Sequence, residues 1–161
     1  MKRKTMIILP LLFLCCLSVQ NGHGAMVKLS LEQLVADADL IILGTVDSVQ
    51  SEQAEGKIFS FATVSVNLKI KGEPEATQDK VVVRFPGGTV GDVGMKVEDS
   101  PDYEQGEEVL LFLQKIENQP GYRTAGSSQG KFLIKNHVVV KETISLDQFL
   151  EKIQSIIRSA R

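Results

Sequence analysis

The 161-residue chain carries 18 Lys plus Arg against 20 Asp plus Glu, a formal charge of −2, with 43% hydrophobic residues and no tryptophan. That balance argues against a nucleic-acid partner, and the length fits one domain built on one core. Both cysteines, Cys15 and Cys16, fall within the first sixteen residues, so the rest of the chain has neither a disulfide framework nor a cysteine zinc site.

The chain opens with Lys2, Arg3 and Lys4, followed by an apolar stretch of 14 residues from Met6 to Val19. This is the pattern of a secretory signal. The stretch is shorter than the roughly 20 apolar residues that cross a bilayer, and Pro10 interrupts it. Small residues at Gly22, Gly24 and Ala25 place cleavage after Gly24 or Ala25, giving a signal over 1–25 and a single domain over 26–161. Lipidation at Cys15 or Cys16 is the alternative, but both sit inside the apolar run behind Leu12, Phe13 and Leu14. Cleavage after Ala25 also removes His23 and leaves 136 residues, with 15 Lys plus Arg against 20 Asp plus Glu and a formal charge of −5. The expectation is an exported protein, periplasmic or extracellular, with no membrane span once the signal is gone.

Ser30 followed three residues later by Gln33 is a capping-box spacing, so a short helix starts there, with Leu31, Leu34 and Val35 on one face. "DLIILGTVDSV" follows as a strand. From Lys57 to Lys71, Ile58, Ala62, Val64, Val66, Leu68 and Ile70 alternate with Ser65, Asn67, Lys69 and Lys71, which predicts a long, bent, half-buried antiparallel strand. "GEPEATQD" makes a turn, and "KVVVRF", "GEEVLLFLQKI", "YRTAGSSQGKFLI" and "HVVVKE" read as further strands. A closing helix over 145–159 is capped by Ser145 and Gln148, with Leu146, Phe149, Leu150, Ile153, Ile156 and Ile157 in a helical stripe. Short connections disfavour crossover helices. The expected class is mainly β (α+β): a small antiparallel OB-like barrel with a short N-terminal helix and a C-terminal amphipathic helix.

The glycine-rich stretch "FPGGTVGDVGMK" poses the question of a phosphate loop. Such a loop requires G-x-x-x-x-G-K-[ST] opening a helix. Here Met95 separates Gly94 from Lys96, no Ser or Thr follows, and the downstream residues have no helical period. What remains is a long excursion from Pro86 to Gly106 between two strong strands. It reads either as a loose hairpin whose glycines permit positive φ, or as a recognition loop presenting Pro86, Gly87, Gly88, Thr89, Val90, Asp92, Met95 and Tyr103 to a protein partner. Glu98, Asp99, Asp102 and Glu104 do not form an EF-hand pattern, and His137 is the only histidine after the signal, so no metal or other cofactor is expected. A serine hydrolase would have to use Ser127 or Ser128 with His137, without a G-x-S-x-G elbow.

"ADLIILGTVDSV", "FATVSVNLKIKGE", "KVVVRF" and "GEEVLLFL", in this order, resemble the netrin-like domain, the fold of the tissue inhibitors of metalloproteinases. Ala38, Asp39, Lys71, Gly72 and Gly106 stand at that family's matching points, and the likeness runs from about Leu29 to Lys135. The chain is also similar to small exported bacterial proteins that share "PGG" and "GEEVLLFL". The resemblance implies an OB scaffold whose end loops dock into another protein. It does not carry over zinc-directed inhibition, because the N-terminal cysteine and disulfides of those inhibitors have no counterpart here. The leading expectation is therefore a non-enzymatic exported binding module, possessing a protease-inhibitor-like scaffold. An extracytoplasmic hydrolase, and an envelope protein that self-associates through the face bearing Phe59 and Phe61, are the alternatives.

Overall fold

The computed structural model describes residues 27–73 and 79–160. The signal with its cysteines, its cleavage site and His23, and most of the "GEPEATQD" turn, lie outside the described residues.

Helix α1, Leu31–Asp37, begins as its capping box requires: Gln33 N donates to Ser30 Oγ at 3.2 Å and Ser30 N donates to Gln33 Oε1 at 2.8 Å. Strand β1, Leu40–Ala54, then pairs antiparallel with β2, Lys57–Lys71. They meet in a two-residue turn with both Glu55 and Gly56 left-handed, at φ 52° and 75°, a geometry that matches the twist of a hairpin. Strand β1 is longer than "DLIILGTVDSV" suggests, because the polar residues Gln50–Gln53 hide a paired but mostly exposed ribbon. The remaining elements are β3, Lys80–Pro86; β4, Gly88–Val90; β5, Val93–Met95; β6, Glu108–Lys115; β7, Tyr122–Thr124; a 3-10 turn, Ser127–Gly130; β8, Lys131–Lys135; β9, Val138–Val139; β10, Ile144–Ser145; and α2, Leu146–Ser159.

The fold is mainly β and mostly antiparallel, as expected. Strand β1 pairs with β2 from Ile41 to Ala54 and with β6 over Leu40–Thr45. Strand β2 pairs with β3, β3 with β7, and β7 with β6, so following partners from β1 leads back to β1. One pairing departs from the antiparallel expectation: β3 and β7 run parallel at Val83 and Tyr122. The segment "YRTAGSSQGKFLI" is also not one strand. Gly126 and Ser127 take positive φ of 59° and 57°, and the jog lets β7 and β8 pair in succession along the same edge of β6, β7 with Leu113–Lys115 and β8 with Glu108–Leu111. "HVVVKE" contracts to β9, since the chain turns again before β10.

The apolar runs of β1 and β6 do not alternate because both faces are buried. Ile41, Leu43, Leu110 and Phe112 pack against Leu34 and Val35 of α1 and Leu146, Phe149 and Ile153 of α2. Leu40, Ile42, Val46, Val109, Leu111 and Leu113 face the other way, toward Ala62, Val64, Val81, Val83 and Phe85. Strand β2 keeps the expected alternation from Ile58 to Val64, then breaks it. Register shifts against β1 roll its end, leaving Leu68 43% exposed and turning Ile70 to the helix side.

The junction of α1 and β1 is locked by the end of β2. Lys71 Nζ donates to the carbonyls of Val35, at 2.7 Å, and Ala38, at 2.6 Å, supplying partners to the last turn of α1. Gly72 has φ 79°, and a Cβ there would lie 2.1 Å from Asp39 O. Asp39 in turn donates its N–H to Leu113 O at 2.8 Å and accepts from Lys115 N through Oδ2 at 2.8 Å. Replacing Gly72 by Ala should therefore cost about 2 kcal/mol or more, whereas Gly56→Ala, with a similar φ of 75° and nothing near its Cβ, should cost only about 1 kcal/mol. Urea midpoints of the two variants measure the difference, and equal shifts would remove the steric account of Gly72.

On the outer face, Asp47 Oδ2 accepts from Lys80 Nζ and Ser65 Oγ, each at 2.7 Å. The Lys80 bond, then the Ser65 bond, hold its carboxyl below the usual aspartate range. A depressed folded-state value means stability that is present above the ordinary value of 3.8 and lost as pH falls through the folded value. Asp47→Asn should flatten this acid limb in denaturant titrations at graded pH, and leave the neutral-pH comparison as the reference.

Candidate functional site

The excursion from Pro86 to Gly106 is a built structure. Its base is fixed to the β1–β2 ribbon: Gly87 N donates to Ile58 O at 2.9 Å, and Ser60 Oγ donates to Gly87 O at 2.7 Å while sharing a 2.8 Å bond with Ser51 Oγ. Ser60 occupies an inward position of β2 and is 1% exposed. Gly87 and Gly88 are required by this docking. Their φ values are 100° and 128°, and a Cβ on Gly88 would fall 2.2 Å from Ser60 Oγ and 2.4 Å from Ser51 Oγ. The glycines therefore serve close approach of backbone to two serines.

From that base β4 and β5 form a separate two-stranded ladder, Thr89 opposite Gly94 and Val90 opposite Val93, closed by Gly91 and Asp92. The returning arm is pinned in four places. Ser100 Oγ donates to Pro86 O at 2.7 Å, and Ser128 N donates to Asp99 O at 3.0 Å. Lys131 Nζ donates to Asp102 O and, at 2.6 Å, to Glu107 Oε2. Gly106 N donates to Val46 O at 2.8 Å, rejoining the sheet.

Tyr103 is the arm's apolar anchor. Its ring lies 5.1 Å from that of Phe85, Lys131 Nζ sits 4.6 Å above it, and its hydroxyl shares a 2.8 Å bond with Thr124 Oγ1. Desolvation raises the hydroxyl well above the usual tyrosine range, so it stays a neutral hydrogen-bonding group. Between the arm, the hairpin and the ribbon lies a groove of about 560 Å³ bordered by Val49, Ser51, Thr89, Met95, Lys96 and Tyr103.

Of the residues expected to be presented, Pro86, Thr89 and Asp92 are exposed, Gly88, Val90 and Met95 are half-buried, and Gly87 is buried at the base. The expectation for Tyr103 is corrected: at 4% exposure its ring belongs to the core, because its aromatic body finds Phe85 and its hydroxyl finds Thr124. Val93, 55% exposed at the hairpin tip, is the prominent apolar side chain that the sequence reading missed. The two-residue Gly-Asp turn between Val90 and Val93 was its signal.

Among the described residues no hydrogen bond joins His137 to Ser127 or Ser128. His137 sits with Asn136 in a tight turn, both at positive φ, and its Nε2 lies 3.0 Å from Asp147 Oδ2. Ser127 and Ser128 lie in the 3-10 turn, where Ser128 O accepts from Lys141 Nζ at 3.0 Å. Phe59 and Phe61 are half-buried on the outer face of β2, outside the α2 cluster, with the Arg84 guanidinium 4.0 Å over the Phe59 ring. Among the described residues no group of three or more His, Cys, Asp or Glu is placed to hold a metal ion, and no helix is long and apolar enough to cross a membrane.

No protein-family model matches the chain, and no curated protein matches it.

Tyr103→Phe should lower stability by about 1–3 kcal/mol, because Thr124 Oγ1, in a residue only 5% exposed, loses its partner. Adding Thr124→Val should recover part of that loss. Denaturant titration of the single and double variants measures the coupling, and strict additivity would show that the bond contributes nothing.

Proposed function

We propose that the chain is an exported, non-enzymatic binding module with a netrin-like OB barrel, which engages a protein partner through residues 86–106. The barrel reading is supported by the circuit of pairings β1–β2–β3–β7–β6–β1, with β3 and β7 parallel where it closes. The netrin-like reading draws support from Ala38, Asp39, Lys71 and Gly72, which occupy that family's matching points and work together as the α1–β1 clasp. The leader supports export.

One observation carries the binding role: a hairpin whose base is fixed by buried bonds exposes a valine at its tip beside an open groove. Solvating an apolar side chain on a pre-ordered turn is unfavourable until a partner covers it, and fixing the base beforehand reduces the ordering cost of association.

Affinity capture from the exported fraction, with the protein and its Val93→Asp variant as baits, tests the proposal. The expected result is a partner retained by the unchanged protein and reduced about tenfold with the variant, since a central apolar contact is worth over 1 kcal/mol, at unchanged thermal midpoint. Equal recovery of every retained protein by both baits would count against the hairpin as the docking element.

A further inference from the structure

The geometry points to the distal half of β1, Asp47–Ala54, as an acceptor edge on which an extended basic peptide segment of the partner adds as a strand, with alternate side chains entering the neighbouring groove. This rests on the reading of residues 86–106 as the docking region and names the chemistry of what docks there.

Among the described residues the edge opens where β6 leaves it. The β1–β6 ladder ends at Thr45 and Glu108, and its last backbone bonds are Val46 N to Glu107 O, 2.9 Å, and Gly106 N to Val46 O, 2.8 Å. Gly106, at φ 87°, marks the turn, and the chain before it is drawn away by Tyr103 and its bond to Thr124. Strand β2 occupies one edge of β1 through to Ala54. Among the described residues no strand aligns with the other edge beyond Val46. The base of β4 meets the side chains of Ser51 and Ser60, so it stands over the face of the ribbon and not in line with its edge. An added strand would continue along β1 from the place where β6 departs, making main-chain bonds for affinity and using pockets for selectivity.

The groove supplies the pocket. Val49 and Ser51 of β1 line it together with Phe85, Met95 and Tyr103, so it combines an apolar floor with small polar walls and suits a medium aliphatic side chain. Charge selects the occupant. Of the groove's own lining only Lys96 and Asp102 are charged, and they balance; on the strands, turns and loop around it the carboxylates of Glu52, Glu55, Asp92, Glu98, Asp99 and Asp102 outnumber the cations Lys57, Arg84 and Lys96, while Lys80 is paired with Asp47 and Lys131 with Glu107. A second copy pairing through the same edge would bring these carboxylates against their own kind. A basic segment gains from them.

The test uses three capped peptides of about eight residues, the length that Asp47–Ala54 offers: alternating Lys and Val, the same peptide with alternate backbone nitrogens methylated, and alternating Glu and Val. Each is titrated into isotope-labelled protein while amide and methyl shifts are followed. The expected result is saturable shifts from the Lys/Val peptide at Asp47–Ala54 and at the groove residues, and none from the methylated or acidic peptides. Glu52→Lys should weaken binding about fivefold, since a rim charge chiefly sets association rate and salt dependence. Shifts elsewhere, no shifts, equal binding of the acidic peptide, or concentration-dependent pairing of the edge with a second copy each overturn the assignment. If Val93→Asp abolishes native capture while no peptide shifts β1, the edge assignment fails alone. If capture is unchanged and the peptides are silent, the docking reading fails with it.

Discussion

Strand β1 is buried on both faces from Leu40 to Leu43 and paired on both edges from Ile41, and the rest of the molecule is arranged around that constraint. A strand in this position must be apolar at every residue, because each side chain enters one core or the other. Ile41 and Leu43 belong to the core under α1 and α2, and Leu40 and Ile42 to the core inside the circuit of strands. Full burial of each such side chain stabilises by roughly 1.5–3 kcal/mol against the entropy of ordering it. Gly44 is the point at which the wall bends: a Cβ there would lie 2.4 Å from Ser65 O, and the pairing with β2 shifts beside it.

The two ends of β1 then have different tasks. Its start is clasped by Lys71, Gly72 and Asp39, so the helix enters the sheet at a fixed angle. Its distal half leaves the shared wall and continues as a ribbon with β2, offering Ser51 and Ser60 as the seat for Gly87 and Gly88. The proposed docking region is therefore an outgrowth of the strand that organises both cores. Its tip stays exposed while buried bonds hold its base, through Ser60 and Gly87, and its returning arm, through Tyr103 and Thr124, and β4 is joined to β5 by their own ladder.

Much of this architecture was legible from local rules. Capping spacings located both helices, and strict alternation located β2 to the residue. The parallel contact of Val83 with Tyr122 was not legible, because it joins residues whose partners are chosen only once β6 has folded between them. The split at Gly126 was foreshadowed by the "AGSSQG" stretch, yet its effect, two strands sharing β6, depends on Ala125 N reaching Phe112 O at 2.8 Å. Within the candidate site, Pro86–Met95 could be recognised as unusual for its glycines, while the role of Tyr103 turned on a hydroxyl partner 21 residues away. A polar residue at an inward position of an alternating strand, Ser60, was the overlooked sign that a backbone segment docks there.

Native-state amide hydrogen exchange on the unliganded protein tests the central claim most directly, since it reports the opening free energy of each segment. The account predicts that amides of Leu40–Leu43 and Val109–Leu113 exchange only through global unfolding, while outward amides of Ser48–Glu52 exchange quickly. Rapid exchange at Leu40–Leu43, or protection of Ser48–Glu52 equal to theirs, would contradict a two-sided central strand whose distal edge is open.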